Sequence, residues 1–228
     1  MQHVLDRLLA LQDKTVAEHS AKFFKTGKGE YGEGDLFLGI RVPDIRSIVR
    51  KNKDASFDEI GELFVSKYHE ARLCAALLCI EHYKQEAKAG YEFYLNHIDA
   101  VNNWDLVDSS APYIIGDHLL DKDKTLLYEF AKSENLWRRR IAIIATFTFI
   151  RANRFEDTLK ISDILLNDEH DLIHKAVGWM LRELGKRDQK VLENFLKPRY
   201  KKMPRTMLRY AIEKFPKDLY KTYLEGKI

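Results

Sequence analysis

The chain has 228 residues, 45% of them hydrophobic and 32% charged, with a formal net charge of +3. That length can bury a sizeable core as one domain or two, and the composition is that of a globular protein. The basic surplus is too mild to demand a nucleic-acid partner by itself, so any such case rests on where the charges fall.

Only 5 prolines occur, and Leu, Lys, Glu, Ala and Ile are abundant, which favours helix throughout. The opening "MQHVLDRLLALQDK" carries Asp6 and Arg7 inside its apolar pattern and has no small-residue cleavage site. It reads as a helix over about 2–12, not as a signal peptide. A second helix over 15–25 leads into "TGKGEYGEGD", residues 26–35, the only glycine-dense stretch. No lysine followed by Ser or Thr opens a helix there, so it reads as a flexible surface loop rather than a phosphate-binding loop. Lys25, Lys28 and Tyr31 are its candidate ligand contacts.

Helices are then expected over 43–52, 57–67 and 70–86. The third contains "ARLCAALLCI", in which Cys74 and Cys79 stand five apart and so point from different faces. They read as small buried apolar residues, a usage that suits a reducing cytoplasm. Helices over 90–98 and 103–120 follow, the latter bent or split by Pro112. The remainder falls at 124–132, 134–151, 154–166, 171–186, 188–197, 204–215 and 217–225. No apolar run approaches the ~20 residues of a membrane span. His170 and His174 lack an obvious third ligand, so no metal is expected, and no serine or cysteine nucleophile motif appears.

A repeat organises these elements. "EARLCAALLCIEHYK", "NNWDLVDSSAPYIIGDHL", "NLWRRRIAIIATFTFIR", "DLIHKAVGWMLRELGK" and "PRTMLRYAIEKF" share a charged or aromatic opening, an apolar helix and a polar end. With Arg72, Asp105, Arg140, Lys175 and Met207 as markers the steps are 33, 35, 35 and 32 residues. Helix pairs at this period predict an all-α fold, an α-solenoid in which each pair buries its apolar face on its neighbours; a globular helical bundle is the alternative. Solenoids curve, and the first turns of the apolar helices would reach the concave side. Arg138, Arg139 and Arg140 open one such helix and Lys175 the next, while Lys201, Lys202 and Arg205 lead into another. If Ser133 caps the first of these, its three arginines fall in the second turn, where opposition from the helix dipole fades. Stacked, the cations would form a stripe suited to a phosphate backbone.

"NNWDLVDSS" breaks that pattern with Trp104, Asp105 and Asp108. With Asn102 or Asn103 as cap, Asp105 sits in the first turn, where the helix dipole favours a carboxylate. Asp108 lies a turn further in, beyond any capping role. A salt bridge to a neighbouring arginine such as Arg140 would explain it, and so would a cationic substrate. Trp104, Trp137 and Trp179 fall near equivalent repeat positions; they are core residues, or aromatics that pack on sugars and bases beside a basic groove.

Four stretches together resemble the AlkD-like DNA alkylation repair family, the HEAT-like-repeat DNA glycosylases: "FLGIRVPDIR" at 37–46, "NWDLVDS" at 103–109 with "GDHL" at 116–119, "NLWRRRIAI" at 135–143 and "KAVGWMLRE" at 175–183. The resemblance implies a single domain over 1–228, a C-shaped solenoid of HEAT-like helical pairs that grips duplex DNA in a basic concave groove. It implies hydrolytic release of cationic N3- or N7-alkylated purines by a cytoplasmic monomer without metal or organic cofactor. By position in the motif, the family's catalytic aspartate falls on Asp108, its groove tryptophans on Trp104 and Trp179, and its phosphate-gripping arginine on Arg140; Arg139, Lys175 and Arg205 join the DNA-binding set. The family carries an aromatic near the N-terminus that approaches DNA, and Phe23, Phe24 and Tyr31 are the candidates for it here. That stretch departs from the family's pattern by its extra glycines, so a non-catalytic paralogue that binds distorted or branched DNA is the alternative reading. A protein-interaction scaffold without a DNA role is a third, and has no need of Asp108 beside two tryptophans.

Overall fold

A computed structural model describes residues 3–228. The fold is all-α: no β-strand occurs among the described residues, and Leu36 and Tyr68 form an isolated bridging pair. Packing divides the chain into two compact units, one ending at Ser110 and one spanning Ala111–Ile228.

The first unit holds α1 (Val4–Leu9), α2 (Lys14–Phe23), α3 (Val42–Lys51), α4 (Phe57–Phe64), α5 (His69–Gln85), α6 (Ala87–Asn96) and most of α7 (Trp104–Ala111). Position 2, where the first helix was expected to begin, lies outside the described residues. Asp13 and Ser56 cap α2 and α4 by accepting from Val16 and Glu59 amides. Helix α5 is the hub, packed against α1, α3, α4 and α6. It is apolar almost all round, as an enclosed helix must be. Cys74 and Cys79 are free thiols buried within it, and burial pushes the Cys74 thiol up to about 12.

The first turn of α5 buries polar groups: His69, Glu70 and Arg72 are 2%, 3% and 5% exposed. Such groups persist in a core only when paired. The Glu70 carboxylate accepts the amides of Leu38, Gly39 and Ile40 at 2.9, 2.8 and 3.2 Å. One buried side chain therefore fixes the whole "FLGI" segment. Gly39 is required there twice over, because its φ is +82° and a Cβ would stand 2.1 Å from the Asp13 carbonyl oxygen.

The second unit opens on a wide π turn, Pro112–Gly116, and continues through α8 (Asp117–Leu119), α9 (Thr125–Ala131), α10 (Leu136–Ala145), α11 (Phe147–Arg151), α12 (Glu156–Ile164), α13 (Asp171–Arg187), α14 (Gln189–Leu196), α15 (Arg205–Ala211) and α16 (Lys217–Leu224). Pro112 has no amide hydrogen for the helical ladder, so the expected 103–120 helix widens where it falls. The Thr148 hydroxyl donates to the Pro112 carbonyl at 2.6 Å. The expected 134–151 helix is likewise two elements, parted at Thr146, whose hydroxyl donates back to the Ile143 carbonyl at 2.7 Å. Helix α13 lies close on α15, and a Cβ at Gly178 would meet Tyr210 Cβ at 2.5 Å and the Met207 carbonyl oxygen at 2.6 Å.

The repeat has a physical signature. The fourth residue of α5, Arg72, donates to the Ser66 carbonyl six residues back at 2.8 Å. The fourth residue of α10, Arg139, does the same to Ser133 at 3.0 Å. In α13 the fourth residue is His174, whose Nε2 is hydrogen-bonded to the Asp168 carbonyl, again six back. Three of the five repeats thereby tie their second turn to the loop that enters it; the fourth residue of α15, Leu208, has no polar side chain for this. The fourth residue of α7 is Val107, which has no polar side chain for the task.

Truncating Glu70 to Ala leaves three buried amides without an acceptor, and urea denaturation should show a loss of about 3 kcal/mol or more. A loss below about 1 kcal/mol would mean that the 38–40 segment holds its course by other contacts.

Candidate functional site at the start of helix α7

Because Val107 cannot tether α7 to its own entry loop, other residues in the first unit do so. The Asn102 side-chain oxygen accepts from Arg72 Nε at 3.1 Å. Asn103, fully buried, accepts from the Trp104 amide at 2.8 Å through its side-chain oxygen. The Asp105 carboxylate accepts from the Leu106 amide at 3.0 Å and meets His69 Nε2 at 2.8 Å. The other imidazole nitrogen, Nδ1, lies 3.4 Å from Asp35, which also takes Arg72 Nη2 at 2.5 Å. Two carboxylates, a histidine and an arginine thus form one chain across the loop at 35, α5 and α7.

Burial alone would lower the His69 pKa, but the hydrogen bonds to Asp105 and Asp35 and their charges outweigh it and raise it to about 9. Burial would raise the Asp35 carboxyl, but His69 and Arg72 hold it below its usual range. His69 is therefore a cation at neutral pH. Its ring is packed by Phe37, stacked at a centroid distance of 4.7 Å, and by Phe24 at 4.8 Å. Phe24 also stacks on Trp104 at 5.3 Å with 17° between the planes. Phe23, 59% exposed, meets Trp104 edge-on at 6.1 Å. Of the N-terminal aromatics, Phe24 is committed to this stack while Phe23 faces solvent.

Along α7, Leu106, Val107, Ser110 and Ala111 are fully buried, whereas Trp104, Asp105, Asp108 and Ser109 are partly exposed. Trp104 and Asp108 are four apart and share a face, one turn from each other. Ser110 anchors the opposite side, its hydroxyl 2.6 Å from both Tyr94 Oη and the Leu106 carbonyl. The helix is thus pinned on its inner side and at its first turn, with the Trp104–Asp108 edge left at the border with solvent.

In the glycine-dense loop the Glu30 and Glu33 carboxylates accept the Gly27 and Gly29 amides at 2.9 and 2.8 Å, and Lys25 and Lys28 are exposed.

The remaining expected residues belong to the second unit. Asn135, not Ser133, caps α10, accepting from the Trp137 and Arg138 amides at 2.8 and 3.2 Å. Arg138 therefore stands in the first turn, one turn earlier than expected. It packs over the Phe130 ring at 5.7 Å. Arg139 pairs with Asp168 at 2.6 Å. Arg140 is only 4% exposed, and its Nη1 donates to the Leu172 carbonyl at 2.5 Å, so little of its guanidinium is left to offer a phosphate. Lys175 reaches Asp171 one turn back at 2.7 Å. Arg205 is exposed and donates to the Leu224 carbonyl at 3.1 Å. Trp179 is partly exposed with Phe147 at 6.0 Å. His170 caps α13 by accepting from the Leu172 amide at 3.1 Å.

The Asp35–His69–Asp105 chain was not read from the sequence. The signal for it was there: "HEARLC" places three ionisable groups in a row that is otherwise core, and such groups imply partners elsewhere.

A folded-state pKa near 9 against an ordinary value of 6.5 means that His69 contributes stability fully present below pH 6.5 and lost as pH rises through 9. The groups facing it are Asp35 from the loop, Asp105 from α7 and, through Asp35, Arg72. Thermal denaturation should register a loss on the order of 3 kcal/mol across that interval. The loss should be absent in His69→Gln. A parental protein equally stable at pH 6 and pH 9.5 would contradict the charge assignment.

The family model described as DNA alkylation repair enzyme matches residues 4–215. Among solved structures, the chain is similar to a predicted DNA alkylation repair enzyme from Enterococcus faecalis, with a TM-score of 0.72 and 19% identity, covering 90% of this chain and 97% of that one. No curated protein sequence matches it. At that identity the structural likeness speaks for the all-α solenoid fold, and the match over nearly the whole sequence speaks for descent: the chain belongs to the DNA alkylation repair enzyme family.

Proposed function

We propose that the protein is a DNA glycosylase that hydrolyses the N-glycosidic bond of cationic N3- or N7-alkylated purines in duplex DNA, with Asp108 as the reacting carboxylate. The supporting observation is the partly exposed edge of α7, where Asp108 stands one turn from Trp104 on a helix pinned by buried polar contacts.

Alkylation at N3 or N7 gives the purine a positive charge, so it leaves as a neutral base without needing a proton. As the bond to C1′ stretches, positive charge moves onto the deoxyribose. A fixed carboxylate near C1′ stabilises that charge and orients the attacking water, whose proton it can accept. One carboxylate suffices because the leaving group already carries its charge; ordinary glycosidases need a second, acidic residue. Trp104 supplies an aromatic surface for the sugar of the damaged nucleotide, with one of its faces already stacked on Phe24. Phosphate contacts fall to Arg139, Lys175 and Arg205 of the second unit, with Trp179 packing against the strand. Arg140, buried on the Leu172 carbonyl, supports the start of α13.

Incubation with methylated duplex DNA should release 7-methylguanine or 3-methyladenine. Asp108→Asn should slow release about 100-fold or more while binding changes little, as expected for loss of one preorganised electrostatic stabiliser. Release by Asp108→Asn at the parental rate would remove this carboxylate from the mechanism; tight binding with no release by the parent would make the protein a non-catalytic DNA binder. Lys175→Ala and Arg205→Ala should each weaken binding to all sequences alike and flatten the plot of log K against log salt by about 1. An unchanged slope in both would take them out of the interface.

A further inference from the structure

We propose that His69 is the positioning residue of the site: by holding Asp105 it fixes the first turn of α7, and with it the orientation of Trp104 and Asp108. The proposal rests on the glycosylase reading for what α7 does, and on geometry alone for what His69 holds.

The geometry has three independent parts. First, α7 lacks the tether found in α5, α10 and α13, because Val107 replaces the residue that bonds six positions back. Its entry is held instead by α5, through Arg72 on Asn102 and His69 on Asp105. Second, His69 is itself immobile: Asp35 binds its second nitrogen, and Phe24 and Phe37 pack its ring. Third, Phe24 packs on both His69 and Trp104, so the histidine and the tryptophan share a packing partner as well as a helix turn. A shift of His69 therefore reaches Trp104 by two routes, one through Asp105 and one through Phe24.

The charged groups facing the imidazole are Asp105 on α7, Asp35 on the loop and, beyond Asp35, Arg72 on α5; Phe24, just past α2, and Phe37 pack it with their rings. When the imidazole loses its proton it retains a single N–H for two carboxylates, so one of the two bonds must fail. If the Asp105 bond is the one that loosens, the first turn of α7 is released while Asp35 keeps Arg72 as a partner.

The test uses the full chain in two arms. In the first, Trp137→Phe and Trp179→Phe leave Trp104 as the sole tryptophan, and its fluorescence is titrated from pH 6 to 10.5 without DNA. A step centred near 9 is expected, absent when His69→Gln or Asp105→Asn is added. No step in the parent, or an identical step in both variants, would overturn the proposal. In the second arm, base release at neutral pH by His69→Gln and by Asp105→Asn, each shown folded by circular dichroism, should fall about tenfold or more in kcat with KM within about twofold. Asp105→Asn preserves shape and the His69–Asp35 contact, so it answers if His69→Gln does not fold. Parental kcat in either folded variant would overturn the proposal. If the parent itself releases no base, the glycosylase reading fails and the fluorescence arm alone decides whether His69 holds Trp104.

Discussion

A cation buried between two carboxylates is the constraint on which the first unit turns. His69 links the loop at Asp35, the hub helix α5 and the first turn of α7, and the rings of Phe24 and Phe37 close around it. Removing one member of such a set leaves an uncompensated charge in a dry setting, so its members stand or fall together. Its neighbour Glu70 applies the same logic to backbone rather than to charge, with three amides converging on one carboxylate. Between them, two consecutive residues of α5 fix the 38–40 segment ahead of α3 and the first turn of α7.

This arrangement separates rigidity from chemistry. Three of the repeats, those of α5, α10 and α13, secure their own second turn by a bond to the loop before them, a device that uses Arg72, Arg139 and His174 in turn. Helix α7 has Val107 at that position, and its stability comes from a neighbour. Asp108 and Trp104 lie on the partly exposed edge of α7. On the glycosylase reading, the carboxylate that faces a developing cation is carried on a helix whose first turn is held from α5.

Much of the fold was legible in the sequence. Helix positions followed from the 3.6-residue apolar period, and the step of 32–35 residues marked the repeat. The disruption at Pro112 followed from a missing amide hydrogen. Three features were not legible, each for a physical reason. The break at Thr146 depends on a hydroxyl choosing its own backbone as partner, which no apolar pattern records. The cap at Asn135 rather than Ser133 was a choice between two competent residues two positions apart. The ion chain needed Asp35 brought next to Asp105, seventy residues away in sequence, and pairing at that range is set by tertiary packing. Arg140 illustrates the converse: its place among three arginines suggested a surface cation, whereas its position on α10 turns it inward to the Leu172 carbonyl. Recurrence of charge along a repeat does not by itself separate a residue that holds a neighbouring helix from one that holds a ligand.

The loop at 26–35 has its own consequence. Glu30 and Glu33 satisfy the Gly27 and Gly29 amides at its tip, while its last residue, Asp35, is held by His69 and Arg72 of α5. The exposed tip at Lys28 takes no part in those contacts and can carry a reporter label, whereas a change at Gly32, where a Cβ would stand 2.5 Å from the Phe24 carbonyl oxygen, or at Asp35 would reach the helices on either side.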